Sequence, residues 1–290
     1  MSSSPVALVL HGGAGVLAAR SYDREIDHLR SLAERGRTLL QDGMSALDVV
    51  TDLTRAMEAS GLYVAGKGSA PNIEGRYELD AAIMDGPCRM AGAVAALEGF
   101  ISPVDAARMV MERTPHVMLA GDGAARLSRK NGLEEVGDPD LYYKPAAVAD
   151  NRAIATGTVG CVALDAEGRL AAATSTGGTL KKTPGRVGDC PLIGSGTWAD
   201  TEVAVSCTGQ GEYFIRALAA GTVASRVRYL GESPDEAARY ALKDVKRLGG
   251  DGGIIAVGKD GRVAFPWNSE GMKHAVLHAD GRITAGVKAE

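Results

Sequence analysis

Aromatic side chains are scarce in this chain of 290 residues, with three Phe, two Trp and eight Tyr. With 38 glycines besides, the composition favours tight turns and close backbone approach over aromatic-lined binding grooves. Cysteine is also sparse: Cys88, Cys161, Cys190 and Cys207 lie far apart with no CxxC spacing. That argues against a disulfide framework or zinc site and reads as buried free thiols in a reducing compartment. None of the five histidines has metal-ligand spacing of the HExxH kind. Charge of either sign is not in excess, 32 basic against 36 acidic residues, so there is no electrostatic footprint for nucleic acid or an anionic membrane. No apolar run has the length of a membrane span. The start of the chain lacks a basic n-region, and residues 6–10 are too short for a signal peptide's apolar segment. The expectation is a cytoplasmic protein with one large core.

What is present centres on residues 155–178. Ala-Thr-Gly-Thr-Val-Gly-Cys-Val-Ala-Leu-Asp, a turn at Ala-Glu-Gly, and Arg-Leu-Ala-Ala-Ala-Thr-Ser-Thr-Gly-Gly read as a buried β-hairpin. Antiparallel pairing brings its open ends together, which makes Thr158 and Thr176 expected neighbours. A threonine hydroxyl becomes a useful nucleophile when a base takes its proton. The residue's own α-amino group, titrating near pH 8, serves once the preceding bond is cut. Gly157, with no Cβ, permits strained backbone at that bond. The alternative is that Gly-Thr simply opens a strand.

Around this hairpin the chain alternates between elements. Residues 6–10 read as a strand ending in His11-Gly-Gly-Ala-Gly, for which a dinucleotide fingerprint, an esterase oxyanion loop and a structural turn compete. The first lacks an alternating strand and helix series, the second lacks a Gly-x-Ser-x-Gly elbow, and the turn is preferred. Residues 23–41 predict a helix, Ser45 caps a second one ending near Ser60, and Ser102-Pro103 opens a third running to about Arg113. Strands are expected over 77–84, 91–97 and 202–207, and helices over 212–229 and 235–248. Lys259-Asp-Gly261 and Ala279-Asp-Gly281 mark two hairpins over 253–265 and 272–287. From about 128 to 157 the pattern dissolves into turn residues, the expected mobile linker. Antiparallel strands and grouped helices predict an α+β protein.

Four blocks, His-Gly-Gly-Ala-Gly (11–15), Gly-Thr-Val-Gly (157–160), Pro-Gly-Arg-Val-Gly-Asp (184–189) and Val-Ser-Cys-Thr-Gly-Gln-Gly-Glu (205–212), resemble in this order the plant-type asparaginase and isoaspartyl peptidase family of N-terminal nucleophile (Ntn) hydrolases. Glu78-Leu-Asp-Ala, Met84-Asp-Gly and Asn268-Ser-Glu-Gly-Met extend the resemblance over nearly the whole chain. It implies a four-layer αββα sandwich in one domain, cut between Gly157 and Thr158 into an α part, 1–157, and a β part, 158–290, that pair as an (αβ)2 homo-oligomer. The implied activity is hydrolysis of β-aspartyl dipeptides and L-asparagine, with no organic cofactor. Thr158 would be nucleophile, Thr176 its orienting partner, and Thr208 with Gly209 the oxyanion hole. Arg186, Val187, Gly188 and Asp189, with Thr208, Gly209, Gln210 and Gly211, would line the substrate site. Arg186 and Asp189 suit an α-carboxylate and an α-ammonium; a plain surface ion pair is the other reading of the two. A structural sodium ion is implied at backbone carbonyls near Leu62, Tyr63, Ala65 and Lys67. Val64 stands where the family usually has Asn, so a polar contact beside the nucleophile is expected to be absent or replaced. The alternative function is an unprocessed, dormant amino-acid-binding protein.

Overall fold

The computed structural model describes residues 5–17, 20–146 and 157–288. In chain order the elements are β1 (Ala7–Ala14), α1 (Asp23–Gln41), α2 (Ala46–Ser60), β2 (Leu79–Asp85), β3 (Met90–Leu97), α3 (Pro103–Arg113), β4 (Met118–Ala120), α4 (Gly121–Lys130), α5 (Pro139–Tyr142), β5 (Val159–Leu164), β6 (Leu170–Thr176), β7 (Thr197–Ala199), β8 (Val203–Gly209), α6 (Gly211–Ala217), α7 (Ala219–Leu230), α8 (Pro234–Arg247), β9 (Gly252–Gly258), β10 (Val263–Ala264), β11 (Met272–Leu277) and β12 (Ile283–Gly286). Eight strands form one sheet in the order β12-β11-β1-β5-β6-β2-β3-β4, and four form a second, β10-β9-β8-β7.

Three apolar clusters define four layers. Leu8, Leu10, Leu29, Leu53, Ile83 and Phe100 lie between α1–α3 and the large sheet. Val9, Val162, Ala172, Ile255 and Val257 fill the space between the sheets. Val205, Phe214, Val223, Ala241 and Ile254 lie between the small sheet and α7–α8. This is the expected αββα sandwich. Ala and Val dominate the middle layer, which lets the two sheets approach closely. Cys161, Cys190 and Cys207 are buried in the interior, and Cys88 is exposed.

Local signals behave largely as read. Ser45 Oγ accepts the Asp48 N–H at the start of α2, and Gly61 closes that helix at φ +71°. Ser102 differs: its hydroxyl donates to Glu58, and the other Glu58 oxygen accepts the Val104 N–H, so a carboxylate on α2 caps α3. The single helix expected over 212–229 is broken at Leu218, which adopts φ +48° and ψ 49°. The N–H groups of Ala220 and Gly221 bond the carbonyls of Ser195 and Gly194, so α7 is anchored to the loop beneath it at the expense of continuity with α6. Within the stretch expected to be a linker, α4 continues to Lys130 and Tyr143 stacks on Tyr77 at 3.9 Å between centroids. Residues 147–156 of that stretch lie outside the described residues.

Candidate active site

The hairpin of β5 and β6 pairs Val159 with Ser175, which leaves Thr158 opposite Thr176 at its open end. Thr158 Oγ1 donates to Thr176 Oγ1 at 3.1 Å. Thr176 Oγ1 also accepts the Gly178 N–H at 3.1 Å and donates to the Val64 carbonyl at 3.5 Å. Thr176 therefore spends its own proton on Val64 and is left to accept from Thr158. Both hydroxyls are almost wholly buried.

Val64 explains the preceding glycine. A Cβ on Gly157 would lie 2.6 Å from Val64 Cγ2, so a side chain there is excluded by contact. The side chain of Val64 packs with Ala70, Leu180 and Ala146, while its carbonyl accepts Thr176 Oγ1 and the Gly177 N–H. The polar contact beside the nucleophile is thus supplied by main chain.

A second chain of hydrogen bonds reaches Thr158 from below. His11 Nδ1 lies 3.0 Å from the Thr158 carbonyl oxygen and Nε2 2.9 Å from Ser206 Oγ. A carbonyl only accepts, so Nδ1 carries the proton and Nε2 accepts from Ser206. Ser206 then takes the proton of Thr174 at 2.7 Å, and Thr174 accepts from Thr197 at 2.7 Å. Every donor in the series points toward the Thr158 carbonyl. Burial lowers the His11 pKa to about 3, so the imidazole is neutral. A Cβ on Gly160 would fall 2.1 Å from Ser206 Oγ and 2.3 Å from His11 Nε2, which is why the second glycine of Gly-Thr-Val-Gly stands there. His11 belongs to β1, whose pairing with β11 shifts register between His11 and Ala14. The expected turn is an irregularity at the end of a strand.

β8 carries Thr208 and Gly209 two and three residues beyond Ser206. Thr208 is fully buried, and its Oγ1 accepts the Ala14 N–H at 3.4 Å. Gly209 has φ +153°, with room for no Cβ against Asp251 O at 2.5 Å. Gln210 is turned aside: its Oε1 accepts the Asp251 N–H at 3.0 Å. Gly211 faces Asp189 and Arg186, and a Cβ there would lie 2.9 Å from Asp189 Oδ1. Val187 is half-buried on the same loop.

Arg186 holds Glu212 with both arms, Nε to Oε1 at 2.9 Å and Nη2 to Oε2 at 3.0 Å. That bond pulls the Glu212 carboxyl below its ordinary range. Asp189 is buried with Oδ2 lacking a hydrogen-bond partner among the described residues. Burial pushes its pKa up to about 7, although the Arg186 charge opposes this. An unpaired buried carboxylate of this kind is a ready acceptor for a cationic group. Arg186 and Asp189 both border Gly211, but Arg186 pairs with Glu212 and not with Asp189; Glu212 as the partner of Arg186 is not signalled by local pattern.

Two further charged residues stand behind the site: Asp80, from the Glu78-Leu-Asp-Ala block, and Lys182, which no motif marked. Asp80 pairs in register with Thr176, and its carboxylate accepts the N–H groups of Ala96 at 2.8 Å and Gly188 at 3.4 Å. It ties the 186–189 loop to the hairpin. Lys182 is buried, with Nζ donating to the carbonyls of Glu78 at 2.6 Å and Gly177 at 3.2 Å. Burial lowers its pKa against the attraction of Asp80 and Glu78. It fixes the turn that follows Thr176.

In the loop after α2, the carbonyls of Tyr63, Ala65 and Lys67 accept N–H groups of Ala65, Gly68 and Lys144 at 2.8, 3.1 and 2.8 Å. Each retains a second lone pair. A Cβ on Gly68 would stand 2.0 Å from Tyr63 O, so glycine keeps that face clear. Neutral oxygen donors of this type fit a hard monovalent cation. No helix among the described residues is long and apolar enough to cross a membrane.

A family described as asparaginase matches residues 4–153 and 140–287. The isoaspartyl peptidase of Salmonella typhimurium is 43% identical over 309 aligned residues, covering 98% of each chain. Its counterpart in Escherichia coli is also 43% identical, over 98% of this chain and 96% of that protein. The human isoaspartyl peptidase/L-asparaginase is 36% identical over 98% of this chain and 96% of its own.

Proposed function

Because this chain belongs to the asparaginase family, we propose that it is a self-processing amidohydrolase acting on β-aspartyl dipeptides and on L-asparagine. The observation that carries the reading is the 3.1 Å bond from Thr158 Oγ1 to Thr176 Oγ1 immediately after Gly157. Cleavage of the Gly157–Thr158 bond frees an amine on the same residue as the hydroxyl, and that amine takes the hydroxyl proton. Thr158 Oγ1 then attacks the side-chain carbonyl carbon of the substrate. Thr208 Oγ1 and the Gly209 N–H stabilise the negative charge on the carbonyl oxygen. The amine returns the proton to the leaving nitrogen, an ester to Thr158 remains, and water hydrolyses it.

Arg186 binds the substrate α-carboxylate, exchanging part of its bond to Glu212, and Asp189 accepts the α-ammonium. Val187, Gly188, Gln210 and Gly211 shape the loops that hold these groups. With both α-groups gripped, the leaving group is free to vary between an amino acid and ammonia. The carbonyls of Leu62, Tyr63, Ala65 and Lys67 would hold a sodium ion, whose charge stiffens the loop carrying Val64. The processed pairs assemble as an (αβ)2 homo-oligomer.

Intact mass of fresh and aged protein beside a Thr158→Ala variant, with N-terminal sequencing, tests this reading. Wild type yields a fragment beginning at Thr158, the variant stays whole, and β-aspartyl-leucine and asparagine are hydrolysed by wild type alone. A stable, inactive single chain in wild type would overturn it.

A further inference from the structure

The large sheet is wider than the sheet that covers it. Opposite β11 and β12 stand the 265–267 segment and the start of α8 in place of a fifth strand, and a cavity of about 500 Å3 remains between them. Its wall is aromatic in a chain poor in rings. Phe265 lies against His274 with centroids 4.9 Å apart and planes at 28°, and Trp267 lies 5.5 Å from the same imidazole. Its rim is basic, with Arg239, Arg282 and Lys288. Among the described residues Asp235 is the acidic member of the lining, and it already holds Arg239 at 2.7 Å. Among the described residues the carboxylate that Arg282 pairs with is Asp280, 3.9 Å away. No residue of the cavity belongs to the Thr158 site. The two are nonetheless close in the sheet, since His274 on β11 pairs in register with His11 on β1.

We infer that this cavity is a second binding site, for a small planar aromatic anion whose ring stacks on Phe265 and Trp267 and whose carboxylate or phosphate meets Arg282. A volume of a few hundred Å3 suits a small molecule of this size. Ring faces on one side and a planar guanidinium on the other select an anion attached to a flat ring over an aliphatic or neutral one.

The test is calorimetric titration of the processed protein with phenylacetate, phenyl phosphate and benzyl alcohol, alongside Trp fluorescence. At least one anion is expected to bind saturably with Kd near or below about 1 mM, with benzyl alcohol at least about tenfold weaker. Arg282→Ala is expected to weaken the anion by roughly tenfold, the loss of one charge-assisted contact. Trp267→Phe should abolish the fluorescence change, and Arg186→Ala should leave binding unaltered. The carboxylate and phosphate probes separate the two anion types. The site is overturned if neither anion saturates by about 10 mM, roughly tenfold above the expected Kd. It is equally overturned if benzyl alcohol binds as well, or if Arg186→Ala removes binding while Arg282→Ala does not.

Discussion

At the scale of single residues, the hydroxyl and imidazole series Thr197–Thr174–Ser206–His11 has one direction, and its last member holds the carbonyl of Thr158. Ser206→Ala leaves His11 Nε2 without its donor in a buried place and turns the Thr174 proton from a 2.7 Å bond to the Gly196 carbonyl 3.4 Å away. Stability is expected to fall by about 1–3 kcal/mol in a denaturant titration. Turnover of a β-aspartyl dipeptide is expected to fall by about tenfold to a hundredfold, because the nucleophile is no longer held in line. Asp189 behaves oppositely. Its pKa of about 7 in the folded chain lies above the ordinary value of about 3.9, so the native state binds the proton more tightly than the unfolded chain. Stability from this group is therefore complete below about pH 4 and is lost as pH rises through about 7. Asp189→Asn should raise the melting temperature more at pH 8 than at pH 4. The same variant should raise KM by on the order of a hundredfold, since the α-ammonium loses its charged partner. In wild type, kcat/KM should fall as the medium is acidified below pH 7, where Asp189 becomes neutral.

At the scale of elements, the break between α6 and α7 is the clearest conflict between local preference and packing. Leu218 takes a left-handed conformation that costs a residue with a Cβ about 1–2 kcal/mol, and its side chain is more than half exposed. Leu218→Gly should accordingly stabilise the protein by about 1 kcal/mol, while Ser195→Pro or any change that frees the loop from Ala220 should not. Thermal melts of Leu218→Gly and Leu218→Ala decide it, with only glycine giving the gain. The apolar periodicity of 212–229 is continuous across this break, and so it was invisible in the sequence. The hairpins were legible because their turns carry Gly168, Gly261 and Gly281 at positive φ. The short β4 and β7, three residues each, have too few positions to show a period.

At the scale of the whole molecule, the large sheet interleaves the two halves of the chain. β1 lies between β11 and β5, and β2 pairs with β6, so strands before and after Gly157 share backbone ladders and one core. Cleavage at Gly157 should leave the two pieces in one particle that elutes as a single species and unfolds in a single transition; separation without denaturant would contradict this. The sequence by itself determined α1 to α3, α8, most strands and the meeting of Thr158 with Thr176, because period, caps and hairpin turns are local and a hairpin fixes its own register. Tertiary structure alone decided that His11 and Ser206 join beneath Thr158, that Asp80 and Lys182 brace the loops around Thr176, that Glu212 occupies Arg186, and that an aromatic cavity opens beside β12. These contacts link positions on different sheets or far apart in the chain. Their energies depend on burial and partner geometry, which local spacing does not encode.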